Sequence, residues 1–92
     1  MEGKTWVVYI LECKDKTLYT GITDDFNRRF AAHNTGNGAK YTRGRGPLVL
    51  RYLEKVGDKS AALKREFYIK QLPKKKKIEL CNSGSTSFEH NI

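Results

Sequence analysis

The hydrophobic positions of the chain fall into short strand-like runs and longer helical patterns. Residues 6–11 are β-branched and aromatic, lie between polar residues, and therefore predict a strand. A polar turn at residues 14–16 leads into residues 18–22, which predict the returning strand of a hairpin. Residues 49–53 predict a third strand.

Helical patterns occupy the segments between and after these strands. The first predicted helix is capped by Thr23 or Asp24, because a short side-chain oxygen can accept from the free N–H groups of the first turn. It runs to about Asn34, and Phe26 and Phe30 lie four residues apart on its apolar face.

A second helix is predicted from near Asp58 to Leu72, where Pro73 interrupts it, and residues 74–80 predict a short third helix. The order strand, strand, helix, strand, helix, helix predicts an α+β domain with a three-stranded antiparallel sheet covered by helices. Residues 35–47 form a glycine-rich loop in this interpretation.

The length of 92 residues allows one small domain, which we expect to span residues 1–81, with a flexible tail at 82–92. No apolar run approaches the roughly 18 residues that a membrane span needs, and the segment at 6–11 lacks a signal-peptide cleavage site. The expected location is the cytoplasm. Cys13 and Cys81 match no zinc pattern and cannot form a disulfide framework.

The chain is strongly basic, with 18 Lys and Arg against 10 Asp and Glu and a net charge of +8. The excess is uneven, because residues 55–81 hold nine basic residues against three acidic ones. Such a charge favours a polyanionic partner, although a lysine-rich solvated surface would have the same composition.

Two tyrosines and one glycine are the candidate site residues on the strands. Tyr9 lies in the first strand, and Tyr19 lies in its hairpin partner next to Gly21, so the two phenols can approach each other across the strands. A glycine weakens a strand, and Gly21 is therefore interpreted as permitting a close approach of backbone or ligand. Tyrosine is also common in half-buried strands without any further role.

Three polar residues on the helices complete the candidate set. Arg29 and His33 are four residues apart and share a helix face, where they could equally be a surface pair. Glu66 lies on the same face as Ala62 and Ile69, and a carboxylate there is either ion-paired or bound to a cation. Phenols, a guanidinium, an imidazole and a carboxylate are together suited to hydrolysing a phosphodiester.

These residues resemble the GIY-YIG nuclease superfamily, and in particular its small stand-alone bacterial proteins, an uncharacterised-protein family. The first signature triplet matches residues 7–9, the second matches residues 19–21, the helix with the arginine matches residues 21–34, and the glutamate motif matches residues 62–66. The resemblance covers roughly residues 5 to 80 and implies a three-stranded antiparallel sheet flanked by helices.

The resemblance also implies a role for each matched residue. Tyr9 corresponds to a general base or water-positioning group, and Tyr19 to a group that contacts the scissile phosphate or the water network. Arg29 corresponds to the arginine that stabilises phosphorane-like charge, and His33 to a residue that assists the base. Glu66 corresponds to the ligand of a divalent metal ion, Mg²⁺ or Mn²⁺, and Gly21 to the glycine beside the site.

The implied activity is metal-dependent DNA cleavage, in repair or recombination. Basic and aromatic residues that could contact backbone phosphates lie in the glycine-rich loop and at the start of the third helix: Lys40, Tyr41, Arg43, Arg45, Lys74 and Lys75. The lysines at 74–77 could equally form a solvated helix face. The alternatives are a nucleic-acid-binding module without catalysis and a repair adaptor, and a protein partner could supply specificity.

Overall fold

Three strands and three helices follow one another in the predicted order, in a computed structural model that describes residues 5–36, 44 and 46–83. The elements are β1 (Trp6–Glu12), β2 (Leu18–Thr23), α1 (Phe26–Asn34), β3 (Val49–Gly57), α2 (Lys59–Gln71) and α3 (Lys74–Asn82). The α+β fold and the order β-β-α-β-α-α are thereby confirmed.

The sheet has three antiparallel strands in the order β2-β1-β3, so the first strand of the chain is the middle strand. Tyr9 is paired with Gly21 on one side and with Leu53 on the other. The register is irregular between Ile10 and Leu11, where β3 contributes an extra residue.

Alternate residues of β1 point into two separate hydrophobic cores, as the two-residue period of a strand requires. Tyr9 and Leu11 belong to the core under α1, where Phe26 and Phe30 pack against them. Val8 and Ile10 belong to the core on the opposite face, which α2 and α3 cover. The sheet is therefore buried on both faces by its helices.

The start of α1 differs from the prediction by one residue. Its N-cap is Asp25, whose side chain accepts from the Arg28 N–H at 3.3 Å, and not Thr23 or Asp24. Thr23 is the last residue of β2, and its hydroxyl instead accepts from the Asp25 N–H at 3.0 Å. The run of three short polar side chains left the position of the cap ambiguous, because each can accept from a free helical N–H group.

The second half of the chain follows the prediction more closely. Asp58 caps α2 by accepting from the Ala61 N–H at 2.8 Å, and Pro73 separates α2 from α3. β3 extends to Gly57, beyond the predicted residue 53. α3 extends to Asn82, beyond the predicted residue 80 and into the proposed tail. Residues 84–92 of that tail and most of the glycine-rich loop lie outside the described residues. None of the helices that the structure describes could cross a membrane.

Candidate active site

The candidate site is built around Tyr9, which lies in the middle strand and is 1% exposed. Its neighbour across the hairpin is Gly21, as the register requires. A Cβ atom at Gly21 would lie 2.5 Å from the Tyr9 hydroxyl oxygen and 3.0 Å from a Tyr19 ring carbon. The space that a side chain at Gly21 would fill is therefore occupied by the Tyr9 hydroxyl, so the close approach is made by a side chain and not by backbone or ligand.

His33 closes the site from α1. Its Nε2 atom lies 2.9 Å from the Tyr9 hydroxyl oxygen, within hydrogen-bond distance. Its ring packs edge-on against Tyr9 and Tyr19, with centroid distances of 5.9 Å and 5.3 Å. His33 is buried, so the alternative of a surface pair with Arg29 is wrong for the histidine.

Arg29 lies one helical turn before His33 and acts on both partners of that hydrogen bond. Burial raises the pKa of Tyr9 to about 12, and hydrogen bonding by the Arg29 side chain partly opposes the increase. Burial and the positive charge of Arg29 lower the pKa of His33 below its usual value. At neutral pH the pair is therefore a neutral phenol and a neutral imidazole.

The direction of the Tyr9–His33 hydrogen bond is set by the tautomer of His33. A guanidinium can only donate, so Arg29 leaves the Tyr9 hydroxyl proton available to another acceptor. The neutral ring of His33 offers that acceptor at Nε2 when its own proton is on Nδ1. With that tautomer, hydrogen bonds run from Arg29 to Tyr9 and from Tyr9 to His33.

Glu66 comes from α2, the helix on the other face of the sheet. Its carboxylate lies 3.2 Å from the Lys70 ammonium one turn along the helix. The Lys70 side chain is half exposed and the Glu66 side chain is 19% exposed, so solvent reaches this ion pair from the lysine side and weakens it. The negative charge of Glu66 contributes to raising the pKa of Tyr9, although its effect is smaller than that of burial.

An open depression of about 350 Å³ lies beside the buried residues and gives access to Arg29. Thr23, Asp25 and Arg28 also line it. Asp24 lines the depression too, so its two arginines are balanced by two aspartates, and of these four residues only Arg29 was predicted as a site residue from the sequence.

The structure brings Tyr9, Tyr19, Gly21 and His33 into contact and places Arg29 against Tyr9, while Glu66 acts on the group through its charge. Among the described residues, no group of three or more His, Cys, Asp and Glu side chains could hold a metal ion.

The residues predicted to contact backbone phosphates either lie apart from this site or lie outside the described residues. Lys74 and Lys75 are exposed on α3, against the face of the sheet opposite Tyr9, and the Lys74 ammonium donates to the Lys16 carbonyl at 3.1 Å. The other four predicted residues lie outside the part of the chain that the structure describes: Lys40, Tyr41, Arg43 and Arg45.

Comparison with known proteins places the same residues in a recurring domain. Residues 5–79 match the family described as the GIY-YIG catalytic domain. The chain is 52% identical over 83 residues to a UPF0213 protein of Clostridium perfringens, a match that covers 90% of this chain and 89% of that protein. A UPF0213 protein of Halobacterium salinarum is 56% identical over 73 residues, covering 79% of this chain and 95% of the other.

Two solved structures have the same fold. The solution NMR structure of a UPF0213 protein of Bacillus halodurans superposes with a TM-score of 0.59 at 42% identity, covering 95% of this chain and 93% of that one. The solution NMR structure of an E. faecalis protein gives a TM-score of 0.62 at 37% identity and covers 90% of each chain.

Proposed function

The chain belongs to the GIY-YIG catalytic domain family, and from that membership we propose that it is a metal-dependent endonuclease that hydrolyses phosphodiester bonds in DNA. The observation that supports this proposal most directly is the hydrogen bond of 2.9 Å between Tyr9 and His33, with Arg29 acting on both residues. The family membership implies a nucleic acid as the substrate.

The chemistry of each residue suits one part of the reaction. Arg29 would donate to the phosphoryl oxygens as negative charge develops on them. Tyr9 would orient the attacking water and accept its proton while the hydroxyl proton of Tyr9 passes to Nε2 of His33. The oxygen of that water forms the new bond to phosphorus, the bond to the leaving oxygen breaks, and His33 ends the step as an imidazolium.

The raised pKa of Tyr9 makes the neutral imidazole necessary in this scheme. A phenol whose pKa is about 12 is almost entirely protonated at neutral pH, so it cannot act as a base unless its proton has an acceptor. His33 is such an acceptor, because its lowered pKa keeps the ring neutral under the same conditions. Tyr19 packs against the edge of His33 and would fix the ring orientation.

Glu66 would hold the divalent ion, with Mg²⁺ or Mn²⁺ as the candidates. Mg²⁺ in proteins commonly keeps several waters and takes one or two carboxylates together with substrate phosphates, which fits a single half-buried glutamate. Such an ion would neutralise phosphate charge and stabilise the leaving oxygen. The surface ion pair with Lys70 would open to release the carboxylate for this role.

The test is cleavage of plasmid, branched and single-stranded DNA in the presence of Mg²⁺ or Mn²⁺. We expect Arg29→Ala and Glu66→Ala to abolish cutting while the circular dichroism spectrum stays that of the folded protein. Arg51→Ala and Glu79→Ala are the matched controls, since both side chains are exposed and neither lines the depression beside Arg29, and turnover at saturating DNA should persist in both.

Two outcomes would contradict the proposal. Equal traces of cutting in the wild type and in Arg29→Ala would identify a contaminating nuclease. Salt-dependent DNA binding with no metal-dependent cutting would instead indicate a binding module that retains the fold.

A further inference from the structure

The outer surface of α2 exposes large apolar side chains that the proposed reaction does not use. Leu63 is 47% exposed, Phe67 is 68% exposed and Tyr68 is 54% exposed. Three exposed side chains of this size on one helix form an apolar patch on its outer surface, and such patches commonly mark binding sites.

These side chains lie on two different flanks of the helix. Residues three or four apart share a helix face, so Leu63 and Phe67 lie together, and Lys70 lies within one turn of both Phe67 and Glu66. Leu63 is also one turn from Glu66. The pair Leu63 and Phe67 therefore belongs to the flank that carries the proposed metal ligand.

The opposite flank is engaged with the sheet. Arg65 donates to Glu54 of β3 at 3.0 Å, and its guanidinium lies 5.4 Å from the centre of the Tyr68 ring. The charge of Glu66, on the other flank, acts on Tyr9, so the flank with Glu66 and Phe67 is the one directed toward the candidate site. Phe67 thus lies on the side of α2 that is nearer to the candidate site.

The charge around Phe67 indicates what would cover it. α2 holds four basic residues and one acidic residue, and that acid is the proposed metal ligand. An exposed aromatic ring among cations is the arrangement that proteins use to stack a nucleobase while lysines contact the phosphates on either side. An apolar protein partner would be a poorer match for this excess of positive charge.

We propose that Phe67 is a stacking platform for an unpaired nucleobase, with Leu63 supporting the ring and Lys64 and Lys70 contacting the flanking phosphates. The inference rests on the proposed function, because the nuclease activity is what places a nucleic acid beside Glu66. It specifies the substrate as a strand that is single-stranded next to the scissile phosphate.

The test measures binding without catalysis, by fluorescence anisotropy of a labelled thymidine oligonucleotide in the presence of a metal chelator. Stacking on one aromatic ring contributes about 1–3 kcal/mol per base, so we expect Phe67→Ala to weaken binding by roughly 5-fold or more. Phe67→Trp should bind within about twofold of the wild type, whereas Phe67→Leu should weaken binding nearly as much as alanine. Binding of a hairpin duplex should change little in all three variants.

Tyr68→Ala is the matched control. It removes an aromatic ring of similar exposure from the same helix, but that ring faces away from Glu66 and carries Arg65 on its surface. We expect it to bind the oligonucleotide within about twofold of the wild type. Unchanged melting temperatures would show that each variant is folded.

Wild-type affinity in Phe67→Ala, full affinity in Phe67→Leu or an equal loss on duplex would overturn the inference. So would a dimer in the wild type that Phe67→Ala converts into a monomer, because the ring would then be buried between two copies of the chain. The enzyme proposal fails separately: absence of metal-dependent cutting together with the expected binding pattern would refute the nuclease and retain the stacking surface.

Discussion

Tyr9 combines two properties that are usually found in different residues. Its ring is part of the hydrophobic core under α1, while its hydroxyl lies beside Gly21 and within hydrogen-bond distance of His33. The hydroxyl therefore has little freedom to move, and its position depends on two neighbours that can be altered separately.

Gly21→Ala tests the first of these neighbours. The added methyl group would lie 2.5 Å from the Tyr9 hydroxyl oxygen, too close for either group to stay in place. We expect the free energy of unfolding to fall by about 1–3 kcal/mol, as is typical of overpacking in a core. Urea denaturation measures this change.

A control on the same hairpin is Thr17→Ala, at a position that is only half-buried. The fall in the free energy of unfolding should be limited to the loss of the hydrogen bond from the Thr17 hydroxyl to Asp15 in the turn. Equal stability of Gly21→Ala and the wild type would mean that Tyr9 can move away from Gly21 without cost.

His33 predicts how stability depends on pH. Its pKa is lowered in the folded protein, so the unfolded chain binds more protons than the native state between the folded pKa and the ordinary value near 6.5. The contribution of His33 to stability is therefore fully present above about pH 6.5 and is lost as the pH falls through the folded pKa.

We expect His33→Gln to remove this part of the acid destabilisation, measured by urea denaturation at a series of pH values below 7. The difference in unfolding free energy between the wild type and His33→Gln should be largest at neutral pH and should shrink as the pH is lowered. A difference that is constant across this range would show that His33 has the same pKa in the folded and unfolded chains.

Thr20 is the residue at which the structure predicts that a substitution will increase stability. Its hydroxyl is buried, and among the described residues it is the buried side-chain oxygen that has no hydrogen-bond partner. Replacing it by the similarly shaped Val removes the cost of burying an unsatisfied polar group, which is about 1–3 kcal/mol. Thermal denaturation of Thr20→Val should give a melting temperature above that of the wild type, and a lower one would contradict this account.

At the scale of the elements, the sequence predicted each strand and helix but not every boundary. Asp58 and Pro73 identify the ends of α2 because an isolated cap and a proline have local effects. Three adjacent polar side chains precede α1, so only the packed structure selects Asp25 as its cap. The length of β3 depends on its pairing with β1, a contact between segments that are distant in sequence.

The cap of α2 provides the prediction at this scale. Asp58→Ala removes the acceptor of the Ala61 N–H and should lower the free energy of unfolding by about 1 kcal/mol. Chemical denaturation measures the change. Asp24→Ala is the control, since Asp24 is exposed and does not cap α1, and its effect should stay within about 0.5 kcal/mol. A comparable loss in both variants would mean that general charge, and not the cap, is responsible.

For the whole molecule, the residues of the candidate site could be predicted from the sequence, whereas their burial and their arrangement in space could not. The matched motifs identify Tyr9, Tyr19, Arg29, His33 and Glu66 in sequence. The burial of His33 is not evident from sequence, because it follows from how α1 lies on the sheet. The sequence left open whether Glu66 is ion-paired or bound to a cation, and only the structure shows its ion pair with Lys70.

The distribution of charge predicts how binding responds to salt. A protein with a net charge of +8 that contacts phosphates should lose DNA affinity steeply as salt rises, with a slope proportional to the number of phosphates contacted. If Lys75 is one of the contacts, Lys75→Ala should reduce the slope by about 1 and weaken binding uniformly across sequences. Fluorescence titrations between about 50 and 200 mM salt measure the slope of log affinity against log salt concentration.

Lys55→Ala is the comparison for this experiment, because Lys55 is exposed on β3 and was not predicted to contact phosphates. An unchanged slope in Lys75→Ala would assign the lysines of α3 to a solvated surface.

The middle position of β1 has a consequence for how the molecule opens. Because β1 is flanked by β2 and β3 and covered by helices on both faces, it cannot detach while its neighbours stay in place. Its amide protons should therefore exchange with deuterium only through complete opening of the domain. Tyr9 would then retain its surroundings until the cooperative transition itself, and heat inactivation would coincide with melting.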